Sequence, residues 1–251
     1  MIVTRICLFG GLGRMGRAVV SCAEDSAKAR IAQIVEREKP GLANEYRQVP
    51  VAPRPNAPAD VYMDFTVAGA VEGNLELALR DEKPFVTGTT GLSDETMARL
   101  IRAGRRIPVV CDSNMSVGVT ALRELVREAR ALRNVGFDVE IVEKHHRHKL
   151  DSPSGTAKSL LEQFEDVSPV HGRQGKGKRT DDEVGVHAVR AGGIFGEHTV
   201  IFSSETETVE LTHRLITRNA LASGALEAAV FASGAKVGFY TMADVWHSLR
   251  K

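Results

Sequence analysis

Apolar residues in the first half of the chain fall into short runs separated by stretches with helical spacing. Ile2–Phe9, Ile31–Glu36, Val61–Phe65, Pro84–Thr87 and Ile107–Cys111 are β-rich runs of strand length. Between them, Arg17–Lys28, Val71–Arg80 and Ser93–Arg105 repeat apolar residues at helical intervals, and Ser93 stands ready to cap its helix ahead of two acidic residues. Regular alternation of strand and helix predicts an α/β fold with a Rossmann-like, doubly wound parallel sheet. Pro50–Pro58 breaks the rhythm with four prolines in nine residues, and is expected to be an irregular surface connection.

After about residue 117 the rhythm changes. Val117–Leu132 is helical, Phe137–Glu143 alternates like a strand, and Ser154–Phe164 is helical again. Val184–Val189, His198–Ser203 and Thr208–Thr212 follow as strands with few helices between them. This pattern predicts a second α+β domain with an open mixed sheet. Val170–Thr180 is a basic, glycine-rich loop, and Ala220–Val237 is a helix of small residues that can return to the first domain. The expected division is 1–116 with 226–251 as one domain and 117–225 as the other.

Composition narrows the function class only by exclusion. A 251-residue chain that is 43% apolar can bury a substantial core. Its 33 basic and 32 acidic residues nearly cancel, so bulk charge gives no reason to invoke nucleic acid or an anionic membrane. Three widely spaced cysteines, Cys7, Cys22 and Cys111, suit a reducing cytoplasm and form no C-x-x-C zinc pair. The apolar start is short and interrupted by Arg5, so it reads as a strand and not a signal peptide, and no apolar stretch is long enough to span a bilayer.

Two segments carry chemistry. The first is Gly10-Gly11-Leu12-Gly13-Arg14-Met15-Gly16, which follows a strand and opens a helix. Glycines there allow a tight turn, let backbone N–H groups approach a pyrophosphate, and put it at a helix start. The spacing, G-x-x-G-x-x-G, is a variant of the commoner fingerprint, and a plain strand–helix turn is the alternative. Glu36 ends the second strand, where a carboxylate can hold the adenosine ribose hydroxyls, and this favours a nicotinamide dinucleotide. Arg37 beside it can take a 2′-phosphate or stack on adenine. Glu36 points to NADH and Arg37 to NADPH, so use of both is expected without a ranking. Gly88-Thr89-Thr90-Gly91 and Asp112-Ser113-Asn114-Met115 follow the fourth and fifth strands, and should face the same crevice.

The second segment runs from Glu143 to Ala157 and holds His145, His146, His148 and Lys149. A metal site is one reading, but the run offers no cysteine and lacks the H-E-x-x-H pattern, and in an extended chain His145 faces away from His146 and His148. A solvated basic loop is another. The third is a site for an anionic substrate: Asp151-Ser152-Pro153 ends the strand, Ser154 caps a helix, and the Gly155 and Thr156 N–H groups meet a carboxylate. Four extended residues span about 13 Å, so His145 and Lys149 bracket a small ring only if the chain bends between them. The third reading explains most of the run.

Taken together, these residues resemble the 4-hydroxy-tetrahydrodipicolinate reductase (dihydrodipicolinate reductase) family, whose signature approximates E-x-H-H-x-x-K-x-D-x-P-S-G-T-A. Here it is met by Glu143, His145, His146, Lys149, Asp151, Pro153, Ser154, Gly155, Thr156 and Ala157. Asp64-Phe65-Thr66, Ser116-Val117-Gly118, Arg190-Ala191-Gly192 and Gly196-Glu197-His198 match as well. The resemblance implies a nucleotide domain made from both chain ends, a central domain that binds substrate and builds a homotetramer, and a role in lysine and diaminopimelate biosynthesis. It implies NADH or NADPH at Gly10, Gly11, Leu12, Gly13, Arg14, Met15, Glu36, Arg37, Gly88, Thr89, Thr90, Asp112, Ser113, Asn114 and Met115. The substrate implied is a cyclic imine with two carboxylates. His145 is then the acid–base histidine, Lys149 the proton donor, and His146, Ser154, Gly155 and Thr156 the substrate contacts. Two departures stand out: Met115 replaces an aromatic residue, and the chain is short between Glu36 and Val61. Another Rossmann dehydrogenase of amino-acid metabolism would share the glycine loop but has no need of the histidine run, and a dinucleotide sensor would need neither His145 nor Lys149.

Overall fold

A computed structural model describes residues 3–250. Met1 and Ile2, which the apolar pattern assigns to the first strand, and Lys251 lie outside the described residues. Along the chain come β1 (Thr4–Phe9), α1 (Arg14–Glu24), β2 (Ala29–Val35), β3 (Glu45–Tyr46), β4 (Val49–Ala52), β5 (Val61–Asp64), α2 (Ala68–Arg80), β6 (Phe85–Thr87), α3 (Asp94–Ala103) and β7 (Pro108–Cys111). Then follow α4 (Val117–Ala129), a 3-10 turn at Arg130–Val135, β8 (Asp138–His145), α5 (Gly155–Leu161), β9 (Ser168–His171), β10 (Glu183–Arg190), β11 (Gly196–Ser203) and β12 (Thr208–Leu215). The chain closes with α6 (Asn219–Gly234), β13 (Gly238–Tyr240) and α7 (Met242–Leu249). These elements form two compact units, Met1–Val117 with Arg218–Lys251, and Gly118–Thr217.

The first unit is the doubly wound α/β fold. Its sheet runs β13-β7-β6-β5-β1-β2-β4-β3, parallel throughout except for the β3–β4 pair. From β1 the chain moves first to β2 on one side and then to β5 on the other, so the strand order reverses at β1, where such sheets bind ligands beyond the strand carboxyl ends. Side chains two apart share a face. Ile6 and Leu8 therefore pack with α1 and α6 residues such as Val19, Val20 and Ala225, while Cys7 and Phe9 pack with Val71 and Leu75 of α2 and Leu100 of α3. Burial on both faces is why these strands read as continuous apolar runs.

The second unit has a five-stranded mixed sheet, β12-β11-β8-β10-β9. Leu122 and Val126 of α4 and Ala157 and Leu160 of α5 cover one face, packing on Val139, Ile141, Val184, Val200 and Phe202. This is the expected α+β layout with a mixed sheet.

Several expectations need correction. Val49–Ala52 is a strand despite lying in the proline-rich stretch. It sits near the sheet edge, and Val51 supplies the N–H to Asn44 that Pro50 lacks, at 2.9 Å. The basic loop begins later than expected, because Ser168–His171 is β9, paired with β10. The small-residue helix is wholly part of the first unit, and the chain returns at Arg218 instead of at residue 226. The reason is packing: α6 is one continuous helix, and a Cβ on Gly224 would collide with the Met115 carbonyl, so the helix lies directly on the backbone there. No apolar run announces β13 and α7; α7 is started by a capping box between Thr241 and Asp244. Among the described residues, no helix is long and apolar enough to cross a membrane.

Candidate active site

In the first unit the loops after β1, β5, β6 and β7 converge. Gly10 has φ +78°, which a side chain rarely tolerates, and a Cβ there would lie 2.7 Å from the Phe65 carbonyl oxygen. A Cβ on Gly16 would collide with the Gly10 carbonyl, so α1 begins tight against the turn. Gly13 is the N-cap of α1 and has no side chain to fold back on the first amides, which leaves that helix start open to an anion. A cleft of about 370 Å³ is lined by Arg14 and Met15, Phe65 and Thr66, Gly88 to Thr90, and Ser113 and Met115. At Gly88 a Cβ would strike the Phe65 ring and come within 3.1 Å of Met115 Cγ, so glycine keeps this cleft open. The glycine cradle and the cleft fit a nicotinamide dinucleotide.

Glu36 faces the glycine turn: its Oε1 accepts from the Leu12 N–H at 2.6 Å, while Arg37 is exposed. Asp112 and Asn114 build the turn behind the cleft, with Asp112 Oδ1 accepting from Asn114 N–H at 3.0 Å and Asn114 Oδ1 from Ser116 N–H at 2.9 Å. Asp64, absent from the expected cofactor set, is the organiser of this region. It is fully buried, and its carboxylate accepts from the Thr66 N–H and hydroxyl, from the Thr89 hydroxyl at 2.7 Å, and from the Asn74 amide at 2.5 Å. One carboxylate thus ties together two of the loops that line the cleft.

In the second unit, alternation along β8 places Val139, Ile141, Glu143 and His145 on the covered face and leaves Glu140, Val142 and Lys144 on the other. Glu143 is 0% exposed, so its charge must be met inside the protein. Arg190, across from His145 on β10, grips it with both Nη atoms at 2.7 and 2.8 Å. The Ser154 N–H donates to it at 3.0 Å, and His145 Nδ1 lies 2.5 Å away. Burial pushes Glu143 up, but Arg190, His145 and the Ser154 N–H outweigh it and hold the carboxyl below its ordinary range. Burial pushes His145 down, against the pull of Glu143. His198, 4% exposed on β11, packs edge-on against the His145 ring with centroids 5.1 Å apart, and burial pushes it down to about 4.

Beyond β8 the chain bends. Lys149 N–H donates to the His146 carbonyl at 3.1 Å across a turn at Arg147 and His148. The chain therefore does not run extended from His145 to Lys149. His146 and His148 stay together, with rings 6.2 Å apart, while His145 is buried against His198. Lys149 Nζ pairs with both Asp151 oxygens at 2.7 and 2.8 Å. Ser154 caps α5, its Oγ accepting from Ala157 N–H at 3.2 Å and lying 3.0 Å from His198 Nε2. Gly155 and Thr156 open that helix, with Gly155 exposed. A titratable imidazole, an ammonium and a capped helix start therefore sit within one segment, equipped to hold an anion and to move a proton. Glu143, Arg190 and His198 are additions to the expected set; a carboxylate on the apolar face of a strand was the signal for the first. Among the described residues, no group of three or more His, Cys, Asp or Glu side chains is arranged to hold a metal ion.

Comparison with known proteins covers both halves of the chain. Residues 4–115 match the family model for dihydrodipicolinate reductase, N-terminus, and residues 118–246 match that for its C-terminus. A 4-hydroxy-tetrahydrodipicolinate reductase of Clostridium botulinum (strain Eklund 17B / Type B) is 38% identical over 248 residues, covering 96% of this chain and 97% of the relative. One from Methanopyrus kandleri is 41% identical over 264 residues, covering 96% and 95%. The solved structure of dipicolinate-bound dihydrodipicolinate reductase from Paenisporosarcina sp. TG-14 has the same fold, with a TM-score of 0.79 at 22% identity over 96% of this chain and 98% of that one. With both domains matched end to end and relatives of this identity spanning nearly its full length, the chain belongs to the dihydrodipicolinate reductase family.

Proposed function

We propose that this chain uses NADH or NADPH to reduce 4-hydroxy-tetrahydrodipicolinate to tetrahydrodipicolinate, in lysine and diaminopimelate biosynthesis. The observation that carries the reading is the segment Glu143–Ala157, which joins a buried imidazole, a lysine and a capped helix start in a chain of this family.

The substrate is a small cyclic imine with two carboxylates. Loss of its 4-hydroxyl as water gives a conjugated ring, and the reduced nicotinamide, when bound, would supply hydride to C4 of that system. Gly10, Gly11, Leu12, Gly13, Arg14 and Met15 are assigned to the phosphates, and Glu36 and Arg37 to the adenosine end. Gly88, Thr89, Thr90, Asp112, Ser113, Asn114 and Met115 are assigned to the nicotinamide side, where the buried Met115 packs in place of an aromatic ring. Lys149 delivers the proton to the carbon next to the one reduced. His145, whose burial favours the neutral ring, polarises the ring nitrogen or assists that transfer. His146, Ser154, Gly155 and Thr156 hold a carboxylate, and the cations placed around it stabilise charge that builds on the ring.

The test is a coupled assay. Aspartate semialdehyde, pyruvate and the synthase that condenses them are mixed with this protein, and NADH and NADPH absorbance are followed separately. Consumption of one or both is expected; consumption of neither defeats the reading. Lys149→Ala and His145→Ala should each slow turnover by roughly 10²–10⁴-fold with dinucleotide binding intact, and Thr156→Val should raise the substrate KM. The same reading makes the protein a cytoplasmic homotetramer built through the central unit, supported by the sheet face there that α4 and α5 leave uncovered; light scattering checks it.

A further inference from the structure

The Glu143 side chain is bonded to both halves of the histidine segment. Its Oε2 meets His145 Nδ1 and its Oε1 the N–H of Ser154, the cap of α5. Arg190 takes both oxygens as a fork and also donates to the Asp151 carbonyl at 2.6 Å, so the guanidinium pins the bend as well. Four donors converge on a carboxylate that water does not reach. Arg190 alone would neutralise it, so the bond to His145 goes beyond what burial of the charge demands.

We propose that Glu143 and Arg190 are opposed positioning residues for His145: the carboxylate fixes the imidazole with its proton on Nδ1, and the guanidinium keeps that carboxylate from drawing a second proton onto the ring. This rests on the reading of His145 as a proton-transfer group. An ionised Glu143 accepts only, so Nδ1 carries hydrogen and Nε2 is the nitrogen that gains or loses the working proton. Gly196 on β11 makes room for that nitrogen, since a Cβ there would stand 3.1 Å from Nε2. The charged and titratable groups around the ring are Glu143 on the same strand, Arg190 on β10, His198 on β11, and Lys149 after the bend, itself paired with Asp151. Of these, Glu143 pulls the ring toward protonation, and Lys149 and Arg190 push against it. The same carboxylate ties the cap of α5 to the imidazole, so one group sets both the proton site and the anion site.

The experiment follows the His145 ring by ¹⁵N and ¹H NMR in the full-length protein, and measures kcat and KM against pH. Glu143→Gln should shift His145 titration toward acid, mix the two ring tautomers, and lower kcat on the order of 10²-fold, with dinucleotide affinity unchanged. Arg190→Met should shift the titration the opposite way, toward alkali. A general loosening of the fold would move both variants alike. Should Arg190→Met fail to fold, the double variant Glu143→Gln/Arg190→Met, which removes both charges, takes its place; its His145 titration should lie acid of wild type with the tautomers again mixed. Shifts in the same direction in both single variants, an unmoved His145, or wild-type kcat in Glu143→Gln while His145→Ala is slow overturn the proposal. If the NMR shifts appear as expected but His145→Ala turns over like wild type, the positioning stands and the assignment of His145 to catalysis fails.

Discussion

Two buried carboxylates, one in each unit, do similar structural work with different partners. Asp64 ends β5 and Glu143 lies near the end of β8; both are 0% exposed, and each joins segments that sequence keeps apart. Asp64 is held by neutral donors, the hydroxyls of Thr66 and Thr89, a backbone N–H and the Asn74 amide. Glu143 is held by a guanidinium and by an imidazole that titrates. Neutral donors leave nothing to switch, so Asp64 frames a cleft. A cation and a titratable ring leave a proton whose position depends on the neighbours, so Glu143 tunes a site.

If that contrast is right, removing a partner hurts most where the partner is charged. Arg190→Ala leaves an uncompensated buried carboxylate, and should destabilise the protein by about 3–5 kcal/mol at neutral pH in denaturant unfolding. The loss should shrink as pH falls, because Glu143 can then take a proton and shed its charge. A cost of under about 1 kcal/mol, typical of exposed ion pairs, would show that Glu143 has another counter-charge and break the comparison.

The next effect is on pH. His198 is held neutral, its folded pKa depressed to about 4 from 6.5. Its contribution is present in full above the unfolded value and is lost as pH falls from 6.5 through 4, on the order of 3 kcal/mol in all. Glu143, depressed below 4.5, adds a further loss at more acid pH. The unfolding midpoint should therefore slope downward from pH 7 to 4, and His198→Asn should flatten that slope. An unchanged slope in the variant would place the acid sensitivity elsewhere.

What the sequence discloses of all this follows the range of the interactions. Local ones are readable: Ser93 and Ser154 cap the helices they were placed to cap, at Thr96 and Ala157. The apolar runs Ile31–Glu36 and Val61–Phe65 are strands because both their faces are buried. Partnerships across the chain are not readable. Arg190 lies 47 residues from Glu143, and only the register of β8 with β10 brings them together. Alternation does put Glu143 on an apolar face, which demands a cation without saying which one. Asp64 is hidden for the same reason, since Thr89 reaches it across 25 residues. The small residues of α6 carry no direction of their own, so the sequence suggests a return to the first unit but not where it begins, which the helix's contact with the Met115 backbone explains. Pro50 argued against a strand that its neighbour Val51 could still supply with a hydrogen bond.

The smallest expected effect sharpens the contrast from the other side. Asp64→Asn keeps the size of the side chain and one acceptor, but turns an NH₂ toward donors that previously met an oxygen. With Asn74 Nδ2 at 2.5 Å and Thr89 Oγ1 at 2.7 Å, one donor is left without a partner. The cost should be about 1–3 kcal/mol, the desolvation of an unmet buried group rather than of a charge. Thr66 and Thr89 line the cleft, so dinucleotide affinity should fall, tenfold for each 1.4 kcal/mol carried into binding. The His145 titration should not move, because Thr66, Asn74 and Thr89, which bond Asp64, all belong to the first unit. Calorimetric titration with NADH and NADPH, set beside the His145 NMR signals, tests both halves. A shifted imidazole with unchanged nucleotide binding would mean that Asp64 acts on the proton site and that the two carboxylates are not separate devices.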